Sequence, residues 1–257
     1  MPGLGVLLTR SESRSKSLQR EIKELGAKVL TLPVIEIESY RDPEQEKKML
    51  TALSSMDLVI FVSANAVTFA NERVVASLLK WPSGPVVAAI GPATHQALKK
   101  AGITTSIVPT GEYNTESLLQ QPQLQNLSGQ SVMIIRGCGG RETLADILKT
   151  RGAVVEYFEV YKRILPTTVD QTIFAGWHEQ VDIVIVTSVN AMENLLLIAG
   201  RQFVDLVVNT PLLVISQRMH DAAFQLKFVA DIIRAEKASD DAILTALLEW
   251  QQKIRLG

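Results

Sequence analysis

Asp57 to Val67 reads DLVIFVSANAV and Asp182 to Met192 reads DIVIVTSVNAM, identical at six of eleven positions, with Ser63 falling on Ser188 and Asn65 on Asn190. Each is a β-branched apolar run that reaches a small polar residue and then takes up a helical pattern, the sequence form of a strand feeding a helix. The offset is 125, and the same spacing, within one residue, recurs on either side. AIGPATHQAL (89–98) falls on VISQRMHDAA (214–223), and IVPTGEYNTESLL (107–119) falls on IIRAEKASDDAIL (232–244). VLLTR with LQREIKELGAKV (6–29) falls on VMIIR with LADILKTRGAVV (132–155), which pairs Arg10 with Arg136 and Gly26 with Gly152. Four matches in one order point to a duplicated unit.

Within each half, apolar runs of four to six residues alternate with amphipathic stretches of 10 to 15 residues, the pattern of βα units around a parallel sheet. Five strands are expected in the first half: 6–8, 29–32, 58–62, 86–90 and 106–108. Five are expected in the second: 132–135, 154–158, 183–187, 212–215 and 228–233. The fold class is therefore α/β, with two flavodoxin-like, doubly wound parallel-sheet domains. PVIEIESYRDP (33–43) and FEVYKRILP (158–166) run past their strands, occupy equivalent places in the repeat and end at prolines. Side by side they form a two-stranded linker between the domains. The pattern leaves two assemblies open: consecutive halves, or a first strand pair docked onto the carboxyl-terminal strands while residues 39–162 form the other domain.

Composition narrows the function. The 257 residues are 47% hydrophobic and 21% charged, with 26 basic and 27 acidic side chains and a formal net charge of −1. A disordered chain is excluded, and no global attraction for nucleic acid or an anionic membrane is expected. Cys138 is the single cysteine, so no internal disulfide forms, and no Cys/His cluster has zinc-ligand spacing. The opening MPGLGVLLTR has no basic n-region, and the uncharged stretch from Trp81 to Leu98 is broken by three prolines and two glycines. A cytoplasmic protein without a spanning helix is expected, and a monomer, since no long apolar helix face is left over.

In an open α/β sheet, ligands bind beyond the carboxyl ends of the strands, where helix amino termini present free N–H groups that favour anions. At those exits stand Thr9 and Arg10, Ser63 and Asn65, Thr94 in the GPAT turn, Arg136 and Gly137, Ser188 and Asn190, and Ser216 and Arg218. Hydroxyls, amides and arginines at nearly every exit suit carboxylates or phosphates, although Ser and Asn after a strand are also ordinary helix caps and an arginine also forms surface ion pairs. GCGGR at 137–141 is neither a dinucleotide nor a P-loop motif. His95, His178 and His220 form no metal pair or triad, and Cys138 has no base to activate it. Tyr161, in the EVYKR connector between Lys162 and Arg163, is placed by a two-domain arrangement to face the cleft, and a phenol, protonated at neutral pH, can donate to a departing hydroxyl.

These residues resemble the uroporphyrinogen-III synthases of tetrapyrrole biosynthesis over nearly the whole chain. The similarity rests on VLLTR, SANAV, IGPATHQAL, NTESLL, IIRGCGGRETLADILKTRGAVVEYFEVYKR and TSVNAMENLL in this order and spacing. The resemblance implies domains of 1–36 with 167–257 and of 39–162, connected through about 35–40 and 158–166, the amino-terminal strand pair belonging with the carboxyl-terminal half. It implies that hydroxymethylbilane loses its terminal hydroxyl, closes through a spiro intermediate with inversion of ring D and gives uroporphyrinogen III and water, without a cofactor or metal. It places the family's tyrosine on Tyr161, which assists hydroxyl departure, a threonine on Thr94, and Ser63, Ser188 and the segment after 212–215 along the cleft. That last segment reads SQRMH, not a GPTT-like sequence, which puts hydroxyl contacts there in doubt. The preceding pathway enzyme is a further implied partner. The competing class is a two-domain small-molecule binding or sensor protein without catalysis, and a nucleotide-dependent enzyme using GCGGR is a second alternative.

Overall fold

A computed structural model describes residues 1–111 and 113–256, and all their side chains except those of 12–14 and 256. Among the described residues are strands β1 (Gly5–Leu8), β2 (Lys28–Thr31), β3 (Glu36–Ser39), β4 (Leu58–Phe61), β5 (Val86–Ala89), β6 (Ser131–Gly137), β7 (Val154–Ile164), β8 (Ile183–Ile185), β9 (Leu212–Val214) and β10 (Ile232–Arg234). They form two five-stranded sheets of order β10-β9-β8-β1-β2 and β3-β7-β6-β4-β5. Contacts divide the chain into one unit of Met1–Glu36 with Ile164–Gly257 and another of Ile37–Arg163.

The pairing exchanges the first two strands of each repeat. β1 lies parallel to β8, with Val6 on Ile183, and not beside β4; β6 lies parallel to β4, with Val132 on Leu58. In the repeat's own numbering the first sheet runs 2-1-3-4-5, the flavodoxin order, and the second keeps 2-1-3-4 with β3 added beside its second strand. The fifth position differs between the two. β10 pairs with β9 over three residues, whereas the stretch expected at 106–108 makes a single bridge from Ile107 to Ala88. Pro109 lacks an N–H and cannot extend that ladder.

Burial on both faces explains the unbroken apolar strands. Val59 and Phe61 join one core cluster with Met133 and Ile135, while Leu58 and Ile60 join another with Val132 and Ile134. The first sheet divides in the same way, Leu7, Val184 and Val214 on one face and Val6, Leu8, Ile183 and Ile185 on the other. Successive strand residues point to opposite faces, so a parallel sheet covered by helices on both sides needs apolar side chains at every position. Each such residue removed from water contributes about 1.5–3 kcal/mol.

Two elements differ from the sequence expectation. The last strand begins at Ile232 rather than at 228, because Lys227 turns to φ 64° and the Lys227 and Phe228 amides close the preceding helix onto Phe224 and Ala223. Phe228 is buried as part of that helix end. At the other departure, 154–158 and the following connector form one continuous strand, β7, of 11 residues. Tyr40 N–H donates to Val160 C=O at 3.2 Å and Lys162 pairs with Glu38 at 3.0 Å, so a move backward along β3 is a move forward along β7 and the two run antiparallel.

Candidate functional site at the strand exits

Parallel strands end at one edge of their sheet, and there the helices start. In the unit of residues 37–163, Ser63 follows β4 and caps the helix Ala64–Ala76, its Oγ accepting from the Ala66 amide at 3.1 Å. The same Oγ lies 3.1 Å from Tyr161 Oη. Tyr161 comes to this edge through a bulge: Arg136 pairs with Glu159 but Gly137 pairs with Tyr161, so Val160 is the extra residue and the ring is carried over Gly137. A Cβ on Gly137 would lie 2.5 Å from Tyr161 Cε2 and 2.6 Å from Cζ, so only glycine admits the ring in this position. The Cys138 amide donates to the Tyr161 carbonyl at 2.8 Å, which turns it toward β7 rather than toward a phosphate. Tyr161 is 2% exposed, stacked against Phe69 with centroids 6.1 Å apart, with the Arg163 guanidinium 5.9 Å from its ring centroid. The phenol expected to face a cleft is enclosed at the strand exits of its own unit.

Arg136 is also enclosed. Its Nε donates to Glu159 at 3.1 Å and its terminal nitrogens to Glu142 at 2.8 Å and to the Arg141 carbonyl at 3.4 Å, while the guanidinium lies 3.9 Å from the Tyr157 ring centroid. Burial opposes its charge, but Glu142 and Glu159 outweigh burial and hold its pKa above the ordinary value. Glu142 in turn accepts from Tyr157 Oη and from Arg136, which pulls its carboxyl below the ordinary 4.5. Burial and Glu142 push Tyr157 up to about 12. Burial, followed by the nearby Glu159 charge, raises the Cys138 thiol, the opposite of an activated nucleophile. Thr94 is 3% exposed in the first turn of the helix Pro92–Lys100, and Asn65 is half-buried at the start of Ala64–Ala76.

The unit containing both chain termini repeats the arrangement with other partners. The Thr9 hydroxyl is buried and donates to the Ile185 carbonyl at 2.9 Å, joining β1 to β8. Arg10 donates through Nε to Thr187 Oγ1 at 3.0 Å and pairs with Asp240 at 3.2 Å. Ser188 and Ser216 cap their helices through the Ala191 and Met219 amides. Asn190 is exposed, and its amide reaches Asn194 at 3.5 Å. Arg218 is exposed and has no acidic partner among the described residues.

Sequence reasoning missed Arg73, whose side chain is 2% exposed. Its guanidinium donates to Glu46 at 3.1 Å, to Ser39 Oγ at 3.1 Å, to Val160 C=O at 2.9 Å and to Tyr40 C=O. The signal was present: Ala66, Val67, Ala70, Arg73 and Val74 share the buried stripe of one helix, and an arginine there needs acceptors inside the fold. Also missed were Glu142 and Glu159, which face Arg136. Among the described residues, no group of three His, Cys, Asp or Glu side chains could hold a metal ion, and no helix is long and apolar enough to cross a membrane.

Two α/β units with hydroxyl-capped helix starts and arginines at their strand exits define a two-unit α/β protein of flavodoxin-like build. Residues 16–245 match the family model described as uroporphyrinogen-III synthase HemD. The uroporphyrinogen-III synthases of Salmonella typhimurium LT2 and Escherichia coli K12 are each 32% identical to this chain over 246 residues, 95% of this chain and 100% of theirs. The chain belongs to the uroporphyrinogen-III synthase family. Two solved structures share its fold: a mutant uroporphyrinogen III synthase of Thermus thermophilus (TM-score 0.61, 20% identity, 97% of this chain and 99% of that one) and uroporphyrinogen-III synthetase of Helicobacter pylori 26695 (TM-score 0.61, 16% identity, 96% and 99%).

Proposed function

We propose that this chain cyclises hydroxymethylbilane with inversion of ring D, releasing uroporphyrinogen III and water, with Tyr161 as the proton donor. Family membership supports the reaction, and the hydrogen bond between Tyr161 and Ser63 at the exits of β7 and β4 supports the donor. Tyr161 gives its proton to the terminal hydroxyl, which leaves as water. The substituted carbon of ring D attacks the resulting cation to give the spiro intermediate; the older bond from that carbon to the methylene of ring C then breaks, the free α-carbon of ring D attacks the methylene cation so released, and the proton lost as the inverted pyrrole is restored returns to the phenolate. Ser63, whose Oγ accepts from the Ala66 amide, lies within hydrogen-bond distance of the phenol oxygen and donates its own proton to it as negative charge develops.

At 2% exposure Tyr161 is guarded in the free protein and reaches substrate only as the exits of β4 and β7 open around it. The substrate's carboxylate side arms are met by Arg10, Arg136 and Arg218, by the capped helix starts at Ser63, Ser188 and Ser216, and by Thr94 in the first turn of its helix. Holding the flexible chain in a bent form is the larger task, because orientation of the attacking carbon selects inversion over direct closure. The protein acts as a monomer on the product of the preceding pathway enzyme. Tyr161→Phe lowers kcat about 100-fold or more, within the usual range for loss of a general acid, with an unchanged circular dichroism spectrum. A wild-type rate contradicts the assignment.

A further inference from the structure

Arg10 and Arg136 occupy equivalent places in the repeat, and each already holds a carboxylate of its own unit. Arg10, with a side chain 26% exposed, holds Asp240, 33% exposed, at the first residue of the helix Asp240–Leu256. Arg136, 8% exposed, holds Glu142, 53% exposed, at the start of the helix Thr143–Thr150. Arg136 also holds Glu159, but that partner is of a different kind. It is 22% exposed, against 53% for Glu142, and lies on β7 directly opposite Arg136 in the ladder, the more enclosed of the two partners. Glu142 and Asp240 belong to helix starts facing solvent and can turn away while their arginines stay in place. Arg136 would remain fixed by Glu159 and the Tyr157 ring, and Arg10 by Thr187.

We infer that Glu142 and Asp240 are internal stand-ins for substrate carboxylates: each occupies the outward donors of its arginine in the free protein and is displaced when an acidic side arm of the substrate arrives. This rests on the proposal that Arg10 and Arg136 contact the substrate. The exchange has a selective consequence. A lone carboxylate gains little by replacing one that is already present, whereas a ligand bearing many carboxylates on one chain also engages other strand exits of the same unit, which makes the exchange at that unit's arginine intramolecular. Glu142 and Asp240 thereby favour polycarboxylates over the simple organic acids and inorganic anions of the cell. Both act through their arginines, as positioning and specificity residues.

The test compares steady-state kinetics of full-length Glu142→Gln, Asp240→Asn and the double variant, with sodium acetate as a competing probe. Each single substitution lowers KM by roughly two- to fivefold with kcat unchanged, the scale of an exposed ion pair. The double variant lowers KM further and becomes sensitive to acetate at concentrations that leave the wild type unaffected. A purely structural ion pair would lower the melting temperature and create no acetate inhibition. Glu44→Gln removes the same charge from an exposed site away from these arginines and leaves KM unchanged; an equal fall in KM there assigns the effect to bulk charge and overturns the inference. Arg10→Gln separates the two levels of the argument. If it raises KM while Glu142→Gln and Asp240→Asn leave KM unchanged, the stand-in role fails and the arginine contact survives. If Arg10→Gln also leaves KM unchanged, the contact and the inference built on it both fail.

Discussion

A methyl group on Gly137 would meet the Tyr161 ring at 2.5 Å, closer than side-chain carbons approach one another, and the nearest atoms belong to a rigid ring rather than a flexible chain end. Gly137→Ala therefore displaces Tyr161 from Ser63. It destabilises the protein by about 1–3 kcal/mol, as overpacking does, and lowers kcat far more than it raises KM; unchanged kinetics would remove Gly137 from the site. Glu142 makes a pH prediction. Its folded-state pKa is depressed, so its contribution to stability is present above the ordinary 4.5 and is lost as pH falls through the lowered value. Between pH 5 and 3 the melting temperature of the wild type falls more steeply than that of Glu142→Gln, and parallel curves would contradict this. The sequence marked Ser63, Ser188 and Ser216 as helix caps, and they are caps; that the Ser63 oxygen also meets a phenol 98 residues away depends on strand pairing, which no local pattern reports. GCGGR matched no nucleotide motif, and the reason for its first glycine lies in the ring of Tyr161.

Arg73 sets the scale of the elements, since one guanidinium ties the helix Ala64–Ala76 to β3 and β7 through Ser39, Tyr40 and Val160. Burial pulls its pKa down while Glu46 opposes the shift. Arg73→Ala leaves Glu46 and the Tyr40 carbonyl without this donor and takes one of two donors from the Val160 carbonyl, and costs about 3–5 kcal/mol, the cost of breaking a buried pair, seen as a fall in melting temperature on the order of 10 °C. Arg73→Lys restores the charge without the planar fork and recovers less than half of that loss; full recovery would show that charge alone matters. Apolar strands were the most legible elements, because burial on both faces writes an unbroken hydrophobic run. The expectation failed where a run continued for another reason. Phe228 is apolar because it seals a helix end, and 106–108 is apolar because Ile107 fills the core beside Leu118 and Leu124 without forming a full ladder. β7 was read as the strand 154–158 followed by the connector 158–166, whereas it runs as one strand through the bulge that delivers Tyr161.

For the molecule as a whole, the duplication was visible in the sequence, whereas the exchange of strand pairs was left open by the pattern and implied only by the family resemblance. β1 and β6 are near-copies, so composition and periodicity cannot say whether β1 lies beside β4 or β8. Hydrogen bonding decides: Val6 to Leu8 pair with Ile183 to Ile185, and the chain enters the contiguous unit by β3 and leaves it by β7, side by side. The exchange brings Arg10 to the exit beside Thr187 and Arg136 to the exit beside β4, so the topology places the arginines as well as the strands. The activity is tested most directly by incubating the purified chain with hydroxymethylbilane, oxidising the products and resolving the porphyrin isomers. The type III isomer should predominate, formed faster than ring closure in buffer. Type I alone, at the buffer rate, would contradict the account.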